Sequence, residues 1–168
     1  MSSSPVRSST SSTSDRSDKW DWEKLYDYLE RLIKSLKMPG QDTASFHAAI
    51  RSARIVETKA VILYAKASRY LASARKNVSD AKFEYSTKLK QLLSDPHMNG
   101  LSQRRYREKC EASLVEEQHA LDLAVDSLTR LTVFTDCVDR VLSNTRHHRE
   151  DLSKRIKILE VEYGIGED

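Results

Sequence analysis

The chain has little of what compact enzymes use to build loops and catalytic pockets. Its 168 residues include only four glycines, three prolines and two cysteines, and aromatic residues make up 7%. No apolar run approaches the ~18 residues of a membrane-spanning helix, so we expect no transmembrane segment. Charged residues make up 32%. This balance favours a protein of long helices over a compact α/β enzyme.

The cysteines, together with the lack of metal-binding and catalytic motifs, limit the class of protein further. Cys110 and Cys137 fall on one predicted helix, 27 residues and therefore about 40 Å apart, too far to form a disulfide with each other. Reduced thiols and the lack of an apolar secretory signal predict an intracellular protein, cytoplasmic or nuclear. The sequence contains no cysteine pair with zinc spacing, no phosphate-binding glycine loop and no nucleophile–base grouping. We therefore expect a non-enzymatic protein without cofactor, metal or small-molecule substrate.

What the sequence does contain is a long seven-residue repeat. One position of the heptad carries Ala53, Ala60, Ala67, Ala74 and Ala81 and is interrupted by Lys88. The other seam position carries larger residues and is interrupted by Glu57. An apolar 3.5-residue period kept this long predicts a coiled-coil seam, and alanine allows the partner helix to approach closely. The residues predicted to form the seam are Ala53, Ala60, Tyr64, Ala67, Leu71, Ala74, Val78 and Ala81.

Helix-breaking residues and a change of composition divide the chain into a tail and three predicted helices. The Ser/Thr-rich residues 1–18 are predicted to be disordered, and residues 19–168 to form one helical coiled-coil domain. Helices are predicted over about 18–37, 43–94 and 102–163, separated by Pro39-Gly40 and by the turn around Pro96 and Gly100. The predicted fold is all-α: a long antiparallel hairpin with an alanine seam and a short helix packed on the first half of helix 2.

Charge is distributed in opposite senses on the two long helices. Residues 51–90 hold ten Lys/Arg against three Asp/Glu, and residues 108–139 hold two against eight. In a hairpin these segments lie side by side, so we expect their charges to pair and fix the orientation. Since one hairpin and a short helix cannot cover the apolar surface of two such long helices, we also expect self-association.

A basic cluster near the predicted turn is the main candidate site. Phe83, Tyr85 and Tyr106 lie among cations there, and aromatics between Lys and Arg are typical of sequence-tolerant single-strand binding. The alternative is that these cations only pair with acids of the last helix. The predicted nucleic-acid-binding residues are Lys82, Lys88, Lys90, Arg104, Arg105 and Arg107.

The segment Lys82-Phe83-Glu84-Tyr85, after a long helix that opens at Asp42-Thr43, resembles the UvsY-type recombination mediators of T4-like phages. The resemblance covers about residues 42–165 and includes Glu162-Tyr163-Gly164 near the end. It implies a small, helical, oligomeric protein that binds single-stranded DNA and helps load a recombinase. Lys82 matches the family's DNA-contacting segment most directly, whereas Ser86-Thr87-Lys88 departs from it.

Two functions therefore follow as alternatives. The first is an oligomeric helical scaffold that acts as a recombination mediator on single-stranded DNA. The second is a coiled-coil structural or adaptor subunit of a multiprotein assembly with no nucleic-acid role. Both require a protein partner, either a second copy or another chain.

Overall fold

The structure, a computed structural model, describes residues 21–96 and 100–163. Within these residues the chain forms four helices, α1 (Trp22–Lys34), α2 (Thr43–Leu93), α3 (Gln103–Ser113) and α4 (Val115–Tyr163). The two long helices, α2 and α4, pack against each other as an antiparallel hairpin. This confirms the predicted all-α hairpin with its short additional helix. The predicted disordered tail, residues 1–18, lies outside the described residues.

Local signals set the ends of α2. The Asp42 carboxylate accepts a hydrogen bond from the Ser45 backbone N–H at 2.8 Å, which satisfies a free donor of the first turn. No glycine or proline interrupts the following 51 residues, and the helix stops at Leu93, shortly before Pro96. Gly100 then adopts φ +88°, a left-handed conformation that glycine takes without steric cost. These features produce the reversal between the two long helices.

The first helix is shorter than predicted at its C-terminal end. Its last helical residue is Lys34 rather than residue 37, and the Ser35 hydroxyl donates to the Leu32 carbonyl at 2.7 Å. The chain then runs without helix toward Pro39, whose ring disfavours helical backbone in the residue before it. The Lys37 backbone N–H donates instead to the Ser52 hydroxyl on α2 at 3.0 Å. This bond fixes the start of α2 beside the end of α1.

The alanine seam is confirmed, but its second row changes along α2. Ala53, Ala60, Ala67 and Ala74 are all buried. In the first part of the helix the neighbouring buried row is Ala49, Val56 and Leu63. Further along, the row on the other side of the alanines takes over, with Val78 buried and Leu71 and Tyr85 half-buried. Ala81, the last member of the alanine row, is half-buried.

Tyr64 is therefore wrongly placed in the predicted seam. Its side chain is 37% exposed, and Leu63 occupies the buried position beside the alanines. The reason is geometric: a straight α-helix has 3.6 residues per turn, so a seven-residue row drifts by ~20° per heptad. Over about three heptads the alanines move from one edge of the contact to the other, and the second row changes sides.

The polar residues that interrupt the apolar contact between α2 and α4 pair with one another. Glu57 of α2 accepts from Arg146 at 3.0 Å and lies 3.4 Å from the Arg149 guanidinium, both on α4. Lys88 of α2 forms an ion pair with Glu117 of α4. Polar pairs inside an apolar seam select one register, because any slip would leave a charge against apolar side chains.

The ion pairs described above lie toward the two ends of the contact between α2 and α4. In central α2, Arg69, Arg75 and Lys76 are exposed and form no ion pair with a described residue, and the acidic side chains of central α4 are exposed as well. The expected charge pairing therefore does not extend along the whole hairpin.

A three-helix core forms where α1 covers the hairpin. Leu29 of α1 joins Leu63 and Ala67 of α2 and Phe134 and Val138 of α4 in one buried cluster. The Phe134 ring is fully buried, and Trp22 and Tyr26 lie edge-on to it, with ring centroids 6.0 and 5.4 Å away. Burial raises the pKa of the Tyr26 hydroxyl. The short helix thus anchors itself through its aromatic side chains.

The predicted third helix is in fact two helices. Leu114 leaves the helical conformation at φ −112°, ψ 6°, and separates α3 from α4. Its side chain is buried, while Glu116 and Glu117 occupy the first turn of α4, where acidic groups complement the helix dipole. With no glycine or proline at the break, the sequence carried no signal for it.

We call the part of the hairpin from its open end to the three-helix core the base half, namely residues 43–67 of α2 and 134–163 of α4. The rest is the distal half: residues 68–93 of α2, all of α3 and residues 115–133 of α4.

Candidate nucleic-acid interface

Lys88, one of the predicted nucleic-acid contacts, is held within the chain. Its ammonium donates to the Glu117 carboxylate, whose side chain is only 17% exposed. This hydrogen bond raises the pKa of Lys88 and lowers the pKa of Glu117. The second carboxylate oxygen of Glu117 is buried and has no hydrogen-bond partner among the described residues. Because Glu117 depends on Lys88, this lysine has a structural role in the seam.

The α3 side of the basic cluster has mixed charge. The Arg104 guanidinium donates to the Glu108 carboxylate at 2.9 Å within α3. Arg104, Arg107 and Gln103 share a shallow surface groove with Glu108 and Glu111. Arg105 is exposed and lies outside this groove. The acids beside Arg104 and Arg107 reduce the attraction of this face for an anion.

The aromatic side chains of the cluster have different environments. Tyr85 is half-buried in the seam, in a groove shared with Leu114 and Val115. Tyr106 is also half-buried, and desolvation raises the pKa of its hydroxyl. Phe83, in contrast, is 70% exposed. Of the three aromatics, Phe83 is the one whose ring is offered to a ligand.

Phe83 belongs to a row of exposed residues on the side of α2 that faces away from α4. We call this row the outer line; its members follow one another at intervals of seven and are Ile55, Ile62, Arg69, Lys76, Phe83 and Lys90. Seven residues advance a helix by about 10.5 Å, so Lys76 and Lys90 stand about that far on either side of Phe83. Neither lysine forms an ion pair with a described residue.

The surroundings of the distal outer line are basic overall. Residues 69–90 contain six Lys/Arg and two acids, Asp80 and Glu84, both exposed. Lys82 lies next to Phe83 in the chain, about 100° round the helix, and is exposed as well. Lys82 and Lys90, two of the predicted contacts, therefore flank the exposed ring from different directions.

Two members of this surface, Arg69 and Lys76, were absent from the predicted site. The prediction grouped cations by their closeness to the turn rather than by their helical face. The seven-residue count that revealed the alanine row, applied to the opposite side of the helix, aligns Arg69 and Lys76 with Phe83 and Lys90. That signal was present in the sequence.

No three His, Cys, Asp or Glu side chains within 21–96 and 100–163 come together as a metal site would require. None of the described helices is both long and apolar enough to cross a membrane. No known protein family, curated protein or solved structure matches this chain.

Proposed function

We propose that this protein is a non-enzymatic, self-associating helical protein that binds single-stranded nucleic acid through the distal half of α2. The observation that carries the proposal is the outer line, on which an exposed phenylalanine stands between two exposed lysines. The same row continues into the base half as exposed isoleucines. One helix face thus combines a polyanion-binding surface with a surface suited to another protein chain.

The chemistry of the distal outer line fits an unpaired strand. Nucleobases stack on aromatic rings whatever their identity, at about 1–3 kcal/mol per base, while cations along the path neutralise phosphates. A duplex hides its base faces, so it could use the lysines but not the Phe83 ring. The interface therefore favours a single strand, with little preference for its sequence.

The resemblance to UvsY-type mediators points in the same direction. It implies single-strand binding by an oligomer and assigns Lys82 to the DNA-contacting segment. Lys82 is exposed beside Phe83. In this proposal the protein would bring many copies onto a strand and help load a recombinase there.

A second candidate is a coiled-coil subunit that assembles with copies of itself and has no nucleic-acid role. It is favoured by the base half of the outer line, where Ile55 and Ile62 are 56% and 65% exposed. The outer face of α4 offers a matching surface, with exposed Val125 and Val133 near Asp126 and Asp136. Stacking α2 of one copy on α4 of the next would bury both apolar sets and place Arg69 near acids.

A salt-titrated binding assay with labelled oligothymidylate separates the two candidates. For single strands the logarithm of the binding constant falls by roughly 0.7 per phosphate contact for each decade of salt. Lys76→Ala/Lys90→Ala should weaken binding and flatten that slope by about 1.4. Lys88 is left unchanged in this variant, because its removal would leave the Glu117 carboxylate in the seam without its ion-pair partner.

The matched control is Lys59→Ala/Arg155→Ala, which removes the same charge from exposed positions away from the distal outer line. Its slope should stay close to that of the wild type. If the wild type does not bind at low salt, or if the two variants behave alike, the nucleic-acid proposal is wrong and the assembly subunit takes its place.

A further inference from the structure

A second basic surface lies at the open end of the hairpin, where the start of α2 meets the end of α4. Phe46 and Ala49 pack there against Leu152 and Ile156 in a buried cluster. Beside this cluster the two helices enclose a groove of about 300 Å³, which we call the open-end groove. Ile50 and Ile156 form its floor, and its rim carries Arg51, Arg54, Lys157 and His47.

The cations of the open-end groove are not neutralised. Arg51, Arg54 and Lys157 are exposed and form no ion pair with any described residue. The nearest acid along α2, Glu57, is already shared between Arg146 and Arg149 at 3.0 and 3.4 Å. Glu160 is the one acid in the groove lining. Glu150, four residues after Arg146 and seven before Lys157, is exposed on the same side of α4. Five cations, Arg51, Arg54, Arg146, Arg149 and Lys157, thus stand against three carboxylates along this side of the hairpin, which leaves a positive excess.

The length and the concavity of this surface favour one kind of anion over others. From Arg146 to Lys157 the cations extend over about 16 Å of α4, with Arg51 and Arg54 opposite them on α2. A free phosphate would occupy only part of that length. A groove between two helices also admits a narrow chain, whereas a membrane surface is flat. An extended strand that carries regularly spaced phosphates fits both the length and the concavity.

We propose that the open-end groove is a second binding site for the phosphodiester backbone of single-stranded nucleic acid. The inference rests on the proposed function, since it names another place where the same class of ligand is held. The groove differs from the distal outer line in having no phenylalanine, tyrosine or tryptophan among its described lining residues, so phosphate contacts dominate there over base stacking. From Arg54 to Arg69, the nearest members of the two surfaces, the helix rises about 22 Å, so an oligonucleotide shorter than this span cannot reach both sites.

The two sites can be counted with an oligothymidylate too short to span them. Full-length wild type should bind two oligonucleotides per chain at low salt, by titration calorimetry. Arg51→Ala/Lys157→Ala should bind one, and so should Lys76→Ala/Lys90→Ala. Lys59→Ala/Arg155→Ala, whose charges lie outside the groove lining, should keep two. The four substituted side chains of the groove and control variants are exposed, so melting by circular dichroism should be unchanged.

Each other result has a distinct meaning. If the Arg51→Ala/Lys157→Ala variant keeps both oligonucleotides, or the control loses one equally, the groove is not a site and the distal proposal stands. If one oligonucleotide binds and only the groove variant loses it, the distal proposal is wrong and the groove remains. If the wild type binds none, both are wrong. Equal displacement by inorganic phosphate, or binding to anionic lipid vesicles instead, would also overturn the strand assignment.

Discussion

The base and distal halves of the hairpin share one alanine row but are stabilised differently. In the base half, α1 adds a third layer, and the largest core residue, Phe134, is fully buried. In the distal half α2 faces α4 with fewer fully buried side chains, and an ion pair between Lys88 and Glu117 lies in the seam. In the distal half α2 contributes two buried side chains, Ala74 and Val78, whereas the large buried side chains there, Leu114 and Leu131, lie after the turn. The distal part of α2 therefore depends on small apolar side chains and on the Lys88–Glu117 pair.

The same division is seen on the outside of α2. Its outer line is apolar beside the three-helix core and basic with an exposed aromatic ring in the distal half. In the proposed function, the base half carries the surface for another chain and the distal half carries the surface for a polyanion.

The largest expected effect is on the free energy of unfolding, and it distinguishes the three-helix core of the base half from the distal seam. Phe134→Ala should reduce the free energy of unfolding by about 3–5 kcal/mol, because it removes a fully buried ring and leaves a cavity. Val78→Ala, in the distal seam, should cost about 1–2 kcal/mol, since it removes two carbon groups at ~0.8 kcal/mol each. Urea unfolding measures both. Equal losses would mean that α1 adds no separate core.

The alanine row tests the close contact of the helices. Ala67→Leu adds three heavy atoms where the residue is fully buried, so overpacking should cost about 1–3 kcal/mol. Ser73→Leu, at an exposed position of the same helix, should change stability by less than ~0.5 kcal/mol. The measurement is thermal unfolding of both variants, and similar shifts for the two would show that the seam is misassigned.

Self-association should depend on the base half of the outer line. Ile62→Glu and Val133→Glu each place a charge in a proposed apolar contact, so each should weaken association roughly tenfold or more, about 1.4 kcal/mol. Sedimentation velocity gives the species present. Because α2 of one copy would meet α4 of the next, a mixture of the two variants keeps one intact pair of faces and should form dimers but nothing larger.

Phe83→Glu, which leaves the base half intact, is the control for that experiment. It should associate like the wild type. A monomeric wild type, or a mixture that forms no dimer, would contradict the stacking of α2 on α4.

Much of this fold could be predicted from the sequence, because heptads and breakers are local signals. The buried alanines and the ends of α2 were predicted correctly. Tyr64 was wrongly assigned to the seam because a seven-residue row drifts around a straight helix. Which neighbouring row is buried therefore depends on the whole length of the contact and cannot be decided from one heptad. The break at Leu114 has no local signal. The burial of Phe134 depends on α1, a third helix outside the hairpin, so the pattern of the two long helices does not predict it.

The candidate sites were harder to predict for the same kind of reason. The pairing of Lys88 with Glu117 depends on the hairpin register, which the turn and the whole seam decide together. The open-end groove joins residues about a hundred positions apart, so Arg51 and Lys157 could be associated only once the hairpin had been built.

The smallest expected effect concerns pH in the distal half. Glu117 has a lowered pKa in the folded state, so its pairing stabilises the fold above the ordinary carboxyl pKa and this is lost on acidification. Lys88 has a raised pKa, so its contribution persists until the pH exceeds its ordinary value of 10.5. Glu117→Gln should therefore melt below the wild type at neutral pH. The difference should shrink as the pH falls below about 4.3, and a constant difference would show that the pair is not formed.

The most direct test of the central claim places a fluorescent ring at position 83. Phe83→Trp adds an emitter to Trp20 and Trp22, and the added emission is the difference from the wild type. If bases stack on this residue, oligothymidylate should quench the added emission at the concentrations at which it binds, and Lys76→Ala/Lys90→Ala in the same background should shift that quenching to higher concentration. Saturating oligonucleotide that leaves the added emission unchanged would contradict the claim that the distal outer line of α2 contacts the strand.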